Sequence, residues 1–106
     1  MPTSERGMTF GDAIEMLKNG HRVARAGWNG KGMWLCYMPE TTIPPHMVNE
    51  RTLRHVSRGT IEAQGGLHVG GHIVMWTAQG VWQPGWLAPQ ADMLAADWIV
   101  RNGGAS

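Results

Sequence analysis

The clearest periodic pattern in the chain lies near its N-terminus and predicts an amphipathic helix over residues 10–19. Apolar side chains recur there at the spacing of one helical face: Phe10, Ala13, Ile14 and Leu17. Thr9 precedes the run as an N-cap, and Asp12 follows three positions later as the return partner of a capping box. Lys18 complements the helix dipole in the last turn, and Gly20 suits the left-handed position that ends a helix.

Short apolar runs separated by turn residues predict strands along much of the remaining chain. They cover residues 22–25, 33–38, 67–77, 81–83 and 97–101. Asn29-Gly30 predicts a hairpin turn between the first two runs, because both central residues of such a turn need a positive φ. Gly70-Gly71 predicts a bulge within the third run. Pro84 requires the fourth strand to end there or to lie at a sheet edge.

A weaker pattern in the middle of the chain predicts a short helix over residues 46–58, with Gly59 after it. Three basic side chains would share one face of this helix: Arg51, Arg54 and Arg58. Such a stripe is typical of a solvated surface. The composition of residues 60–66 predicts a loop or the start of a hairpin.

A second short helix is predicted to begin at Pro89 and to run to Ala96. Asp92 would lie near its N-terminus, where a negative charge is favourable, and Asp97 would follow its end. The two carboxylates resemble an acid/base pair in composition only. Since nothing in the sequence positions a nucleophile beside a base, no catalytic residue is predicted.

These elements together predict an α+β fold in which the N-terminal helix packs on a mostly antiparallel β-sheet. The 106 residues form a single small domain on the usual size prior, with residues 1–7 and 102–106 as flexible tails. One amphipathic helix can cover only one face of the sheet. Because the second apolar surface is rich in Trp and Met, we expect a homo-oligomer that buries it.

Composition narrows the functional class. No apolar run approaches the length of a membrane span, and a single cysteine excludes an intrachain disulfide, so we expect a cytoplasmic protein without a membrane partner. The formal net charge is only +1, which disfavours a nucleic-acid polymer as partner. Residues 22–58 nevertheless hold six basic and two acidic side chains, a local excess of +4 that suits a small anion.

The aromatic content supplies the main candidate chemistry, since six tryptophans stand in a chain of 106 residues. Three in predicted strands are expected to pack in the core or an interface: Trp34, Trp76 and Trp98. Three at turns or strand ends are better placed for a ligand: Trp28, Trp82 and Trp86. In residues 27–32, Trp28 could stack on a flat ring and the glycine amides could donate to phosphate. A plain hairpin turn whose tryptophan caps the core explains the same segment.

The remaining reactive side chains point to no cofactor. His68 and His72 would share one face of an ideal strand, but Gly70-Gly71 interrupts it, so no metal site is predicted. Cys36 lies inside an apolar strand, as a buried thiol would. These residues alone therefore indicate a small oligomeric α+β domain with an aromatic, locally basic groove.

The order of three segments adds a more specific indication. Residues 8–20, 23–35 and 84–100 together resemble the phage-encoded Thoeris anti-defence protein two family, formerly a domain of unknown function. The strings Trp-Asn-Gly and Gln-x-Asp-Met-Leu-Ala-x-Asp-Trp carry the resemblance most clearly. The segments cover about half of the chain, and residues 39–66 contain no matching motif.

The resemblance implies a sponge and not an enzyme. Thoeris systems detect infection through a TIR-domain enzyme that makes a cyclic ADP-ribose isomer, and members of this family bind that signal without degrading it. The resemblance further implies a homotetramer with ligand pockets between protomers, acting in the infected bacterial cytoplasm. Some members also bind cyclic dinucleotides, and no cofactor is implied.

The implied ligand has an adenine ring, two riboses and a pyrophosphate. The resemblance places Gln90, Ala91 and Asp92 in the pocket, and the other residues are matched to the ligand by their chemistry. The expected ligand-binding residues are Arg25, Trp28, Asn29, Gly30, Trp34, Gln90, Ala91 and Asp92. Trp28 and Trp34 would stack on the base, and Asp92 would accept ribose hydroxyls. Gly32 would also meet sugar or phosphate oxygens, and Arg25, helped by Arg51 or Arg54, would neutralise the pyrophosphate.

Two other functional classes stay open. An enzyme that cleaves the same signal would use Asp92 or a histidine, and it would clear excess ligand when present in sub-stoichiometric amount. A Trp-rich carbohydrate or interaction module would show no thermal shift with cyclic nucleotides and a positive shift with a sugar or a protein partner.

Overall fold

The computed structural model describes residues 7–28 and 31–101. Within them, residues 7–38 and 72–101 form one compact unit, and residues 39–71 form a second. The predicted hairpin turn at Asn29-Gly30 and the predicted tails at residues 1–6 and 102–106 lie outside the described residues.

The N-terminal helix, α1, spans Phe10–Lys18 and confirms the predicted amphipathic helix. Its capping box is complete, because the Asp12 amide donates to Thr9 Oγ1 at 3.1 Å and the Thr9 amide donates to Asp12 Oδ2 at 3.3 Å. The apolar face buries Ala13 and Leu17. The capping residues and the spacing of apolar residues thus both indicate the helix that the structure contains.

Seven strands occur in the described residues: β1 Val23–Arg25, β2 Trp34–Met38, β3 Thr41–Ile43, β4 Leu67–Val69, β5 His72–Trp76, β6 Trp82–Pro84 and β7 Trp98–Val100. Five of them form the sheet of the first unit in the order β6-β5-β2-β1-β7, and every pairing is antiparallel. Pro84 lies on the edge strand β6, as predicted, where its missing N–H leaves no central ladder bond unmade.

One face of this sheet packs on α1 and forms the core. Val23 and Leu35 are cross-strand partners and fully buried, and they cluster with Trp98, Ala13 and Leu17. Because side chains alternate along a strand, Trp34 points to the opposite face from Leu35. There it stacks on Trp76, its partner on β5, with ring centroids 5.8 Å apart.

The second unit contains two short helices and a two-stranded antiparallel sheet. Helix α2 spans Glu50–Leu53 and helix α3 spans Arg58–Ala63. Asn49 and Ser57 cap them, each accepting from an amide three residues later. Strands β3 and β4 pair along their length.

The prediction for residues 46–66 is therefore wrong in its boundaries. The expected helix over 46–58 is replaced by a 3₁₀ helix at Pro45–Met47 and by α2. The segment expected to be loop is largely α3, which contains Gly59. Ser57 was read as part of a helix although it caps the next one, so Arg58 does not share a helix with the other two arginines.

Two further boundaries differ from prediction. Residues 67–77 are not one bulged strand, because Gly70-Gly71 separates β4 from β5 and the two strands belong to different sheets. The C-terminal helix, α4, is only Gln90–Met93, and Pro89 is its extended N-cap and not its first residue. Strands over 22–25, 33–38, 81–83 and 97–101 are confirmed to within a residue or two.

The described residues confirm the predicted fold class, a small α+β arrangement with an N-terminal helix on a mostly antiparallel sheet. None of the helices in this part of the chain combines the length and apolar composition needed to cross a bilayer.

Candidate functional site

A cluster of one guanidinium and two carboxylates lies at one end of the five-stranded sheet. Arg25 Nε donates to Asp97 Oδ1 at 2.7 Å and its Nη2 donates to Asp97 Oδ2 at 3.3 Å. Arg25 Nη1 donates to Asp92 Oδ1 at 2.7 Å. The side chains are 21% exposed for Arg25, 12% for Asp92 and 34% for Asp97. This partial burial makes the ion pairs stronger than pairs on an open surface.

The backbone around Asp97 fits closely against its carboxylate. Directly after β1 the chain forms a 3₁₀ helix at Ala26–Trp28, and the Gly27 amide donates to Asp97 Oδ2 at 2.7 Å. A Cβ on Gly27 would lie 2.8 Å from that same oxygen. Gly7, expected in a flexible tail, is buried with φ +77°, and a Cβ there would lie 2.7 Å from Asp97 Cα. Position 7 therefore requires glycine, because of its positive φ and the backbone against it, whereas a Cβ on Gly27 would displace the side-chain ends of Asp97 and Arg25.

Asp92, the second carboxylate of the cluster, belongs to helix α4. Asp92 lies in the first turn of α4, as predicted, and its own backbone carbonyl accepts from the indole Nε1 of the buried Trp98 at 3.0 Å. Its carboxylate oxygen Oδ1 accepts a longer bond, 3.4 Å, from Trp28 Nε1. Trp28 in turn packs edge-on against Trp98, with ring centroids 5.4 Å apart. The core tryptophan thus holds both the acid and the aromatic ring in place.

The electrostatics fix the charge states of the pair that Arg25 makes with Asp97. Hydrogen bonds from Arg25 lower the pKa of Asp97, although partial burial of the carboxyl opposes the shift. Hydrogen bonds to Asp97 and then to Asp92 raise the pKa of Arg25. Both groups therefore stay charged at neutral pH. By residue type, the cluster of one arginine and two aspartates has a formal charge of −1.

The arrangement leaves specific groups for a ligand. In the described part of the chain, Asp92 Oδ1 accepts from Arg25 and Trp28, whereas no group donates to Asp92 Oδ2. Of the five N–H groups of the guanidinium, three are occupied by the carboxylates. The half-buried Trp28 ring lies beside them. A carboxylate oxygen next to an aromatic ring suits a ligand that combines hydroxyl donors with a flat ring.

The structure brings together some of the expected site residues and separates others. Arg25 and Trp28 each donate to Asp92 Oδ1. Gln90 and Ala91 are exposed in the same short helix as Asp92. Trp34 lies on the opposite face of the sheet, where the Arg22 guanidinium sits 4.2 Å from its ring centroid. The expected contacts of Asn29 and Gly30 fall outside the described residues, and Gly32 is exposed with φ +81°.

Sequence reasoning missed the role of Asp97. The residue was considered only as half of an acid/base pair, because its partner Arg25 is 72 positions away. The signal was present in the Asp-x-x-x-x-Asp-Trp string, whose two acids flank a turn and precede the core tryptophan. Only the pairing of β1 with β7, which aligns Arg25 with Trp98, shows that both acids meet one arginine.

The second unit holds a groove of about 380 Å³ over the paired strands β3 and β4, with Glu40, Thr42, His68 and Gly70 in its lining. The His68 ring is held at both nitrogens, by Thr42 Oγ1 at 2.9 Å and by the Gln64 carbonyl at 3.1 Å. In the first unit, burial raises the pKa of the Cys36 thiol. Among the described residues, no three His, Cys, Asp or Glu side chains are grouped as metal ligands.

Comparisons with known proteins agree with the motifs. A family model for the Thoeris anti-defense 2-like domain matches residues 8–101. The protein called Thoeris anti-defense 2 of Bacillus phage SP01 is 61% identical to this chain over 28 residues. That alignment spans 26% of this chain and 32% of the phage protein, so the chain covers about a third of the relative's length. Since the family match extends over nearly all described residues, the chain belongs to the Thoeris anti-defense 2-like family.

Proposed function

We propose that this protein is a sponge, which binds a cyclic ADP-ribose-type immune signal, leaves it intact and so blocks Thoeris defence. Membership of the Thoeris anti-defense 2-like family supports an anti-defence role. The observation that carries the ligand assignment is the Trp28–Asp92 contact, which sets a carboxylate beside an aromatic ring. A nucleoside offers the matching pair of groups, a flat base and ribose hydroxyls.

Each group of the proposed ligand is assigned to different residues of the site. Trp28 stacks on the base, which contributes about 1–3 kcal/mol. Asp92 accepts ribose hydroxyls, and Gln90 and Ala91 border the ligand from the exposed side of α4. Arg25 already holds two carboxylates, so its role here is to orient them and to donate its remaining N–H groups to neutral ligand oxygens. The pyrophosphate charge is met by cations outside this cluster.

The charge states of the Arg25–Asp97 pair favour binding over proton transfer by that pair. A general acid or base works best when its pKa lies near the operating pH. The lowered pKa of Asp97 makes it a poor proton acceptor, and the raised pKa of Arg25 makes it a poor proton donor. A pair held in fixed charge states orients a ligand well and transfers protons badly.

An oligomer would complete the site. Leu87 is 87% exposed and Leu94 is 83% exposed, and both lie close in sequence to α4, which carries Asp92. Exposed apolar side chains of this size beside a binding site mark an interface. We propose a homotetramer with pockets between protomers, in which Trp34 reaches the ligand from a second protomer. Its place of action would be the cytoplasm of an infected bacterial host.

The decisive experiment separates capture from cleavage. Purified protein is incubated with cyclic ADP-ribose isomers in turn, and binding is measured by calorimetry. The complex is then denatured by heat, and the released ligand is analysed by mass spectrometry. Recovery of intact ligand in stoichiometric amount supports the sponge. Conversion of excess ligand by sub-stoichiometric protein would establish an enzyme instead.

A matched pair of variants ties the result to the site. Trp28→Ala removes the proposed stacking surface, and Trp82→Ala removes a tryptophan that is 46% exposed on the edge strand β6. We expect Trp28→Ala to weaken binding by about tenfold or more and Trp82→Ala to leave it unchanged. Equal losses in both variants would show that the ligand lies elsewhere.

A further inference from the structure

The strongest unexplained feature of the site is Asp97, a carboxylate that faces the cluster and to which the proposed function gives no ligand contact. It makes two bonds to Arg25 and accepts a third from the Gly27 amide. Gly27 leaves room for the carboxylate that a Cβ would take away, and Gly7 leaves room for the Asp97 backbone. Asp97 is thus closely fitted at its backbone and at a side chain that is a third exposed.

The geometry of the guanidinium explains what Asp97 does. The two carboxylate oxygens of Asp97 occupy the Nε–Nη2 edge of Arg25 side by side. Arg25 meets Asp92 through Nη1 alone, and that single contact goes to Oδ1. The Nη1–Nη2 edge still carries a second N–H on each nitrogen, but the paired bonds to Asp97 fix the direction in which that edge points. A guanidinium freed from Asp97 could turn until it pairs with Asp92 through two parallel bonds, the fork-to-fork geometry that an isolated arginine and carboxylate prefer.

From this geometry we infer that Asp97 is a positioning residue that keeps Asp92 Oδ2 open for the ligand. By fixing the orientation of the guanidinium, it keeps Arg25 in contact with Asp92 Oδ1 alone. Asp97 also holds the turn that carries Trp28, because the amide of Gly27, the residue before Trp28, donates to its carboxylate. The inference rests on the proposed function for its ligand and on the ligand-free geometry for everything else.

The excess of one negative charge also restricts which part of a ligand this cluster takes. Among the described residues, the Asp97 carboxylate accepts three hydrogen bonds and the Asp92 carboxylate accepts two, both at Oδ1, so most of the remaining acceptor capacity belongs to Asp92 Oδ2. Hydroxyl or amine groups of the ligand can donate to it, whereas a phosphate placed there would meet like charge. The cluster therefore selects the ribose edge of the ligand and turns the pyrophosphate away.

The test is Asp97→Asn, with Asp12→Asn as the matched control. Both variants remove one aspartate charge, but Asp12 belongs to the capping box of α1 and, among the described residues, makes its hydrogen bonds within that box. The first readout needs no ligand: the indole N–H resonances of Trp28 and Trp98 in a ¹H–¹⁵N spectrum, and their exchange with solvent. Trp28 donates to the Asp92 side chain, while Trp98 donates to the Asp92 backbone from within the core.

In Asp97→Asn we expect the Trp28 resonance to shift and to exchange faster while the Trp98 resonance stays in place. Loss of general stability would move both resonances, so the difference between them isolates positioning. Affinity for the cyclic ADP-ribose isomer that binds the wild type should fall by about tenfold or more, the effect of one lost charged contact. Asp12→Asn should leave both resonances and the affinity unchanged. An unchanged Trp28 resonance or an unchanged affinity in Asp97→Asn would overturn the inference.

A second variant covers the case in which Asp97→Asn does not fold. Gly27→Ala places a methyl group 2.8 Å from Asp97 Oδ2 and 2.9 Å from Arg25 Nη2, so it displaces the pair without changing charge. Gly59→Ala is its control, because a Cβ there meets nothing within 4 Å. Gly27→Ala should shift Trp28 as Asp97→Asn does, and an unshifted Trp28 would contradict the inference. If no isomer binds the wild type, the proposed ligand fails, and the ligand-free spectra still decide the role of Asp97.

Discussion

The pairing of Arg25 with Asp97 makes a quantitative prediction for stability. The perturbation is a double-mutant cycle that combines Arg25→Met with Asp97→Asn. The pair spans 72 positions and joins the last residue of β1 to the residue before β7, so its loss should weaken the packing of the sheet. Arg25→Met would also leave Asp92 and Asp97 facing each other without their shared cation.

The magnitude follows from the burial of the pair. Exposed ion pairs contribute about 0–1 kcal/mol, and removing one partner of a fully buried pair costs about 3–5 kcal/mol. Arg25 is 21% exposed and Asp97 is 34% exposed, which places this pair between those limits. We therefore expect a coupling free energy of about 1.5–2.5 kcal/mol, such that the double variant loses less stability than the sum of the single variants.

Urea unfolding of the wild type, the two single variants and the double variant measures this coupling. Arg25→Met combined with Asp12→Asn serves as the control cycle, since Asp12 makes its hydrogen bonds with Thr9. The control cycle should be additive within about 0.5 kcal/mol. A coupling free energy below about 0.5 kcal/mol between Arg25 and Asp97 would refute the argument that the pair is shielded from solvent.

Three further predictions test other parts of the account. Gly7→Ala should destabilise the protein by about 1–3 kcal/mol more than Gly20→Ala in urea unfolding, because both glycines have positive φ but only at Gly7 would a Cβ meet the backbone; equal losses would contradict this packing. Ala91→Trp should abolish ligand binding in calorimetry and keep the wild-type oligomer in light scattering, since Ala91 is exposed; retained binding would remove Ala91 from the pocket. Because the folded pKa of Asp97 is lowered, its contribution to the free energy of unfolding is complete above the unfolded value of about 4 and is lost as pH falls through the folded value. Asp97→Asn should flatten that acid limb in urea titrations, and an identical limb in both proteins would show that other groups cause it.

Local chemistry made part of this fold predictable. The capping box and the apolar spacing of α1 act within one turn, so residues 9–18 determine that helix almost alone. Alternation and turn residues located the strands of the sheet in the same way. Asp92 was placed correctly in the first turn of α4 because the segment after Pro89 signals its own start.

The errors arose where two local signals compete or where tertiary contacts decide. Gly59 was taken to follow a helix, yet it lies inside α3, because Ser57 caps a new helix just before it. Gly70-Gly71 suggested a bulge, but the strands on either side join different sheets. The Arg25–Asp97 contact depends on the pairing of β1 with β7, and no local pattern determines which strands become neighbours.

The most direct test of the central claim is one titration of the isotope-labelled protein with a cyclic ADP-ribose isomer, followed by NMR. The account predicts that the Trp28 indole N–H resonance moves to saturation, that the buried Trp98 indole resonance moves little, and that the ligand signals remain those of the intact ring. Growth of linear product signals, or saturation with an unmoved Trp28, would contradict intact capture at the Trp28–Asp92 pair.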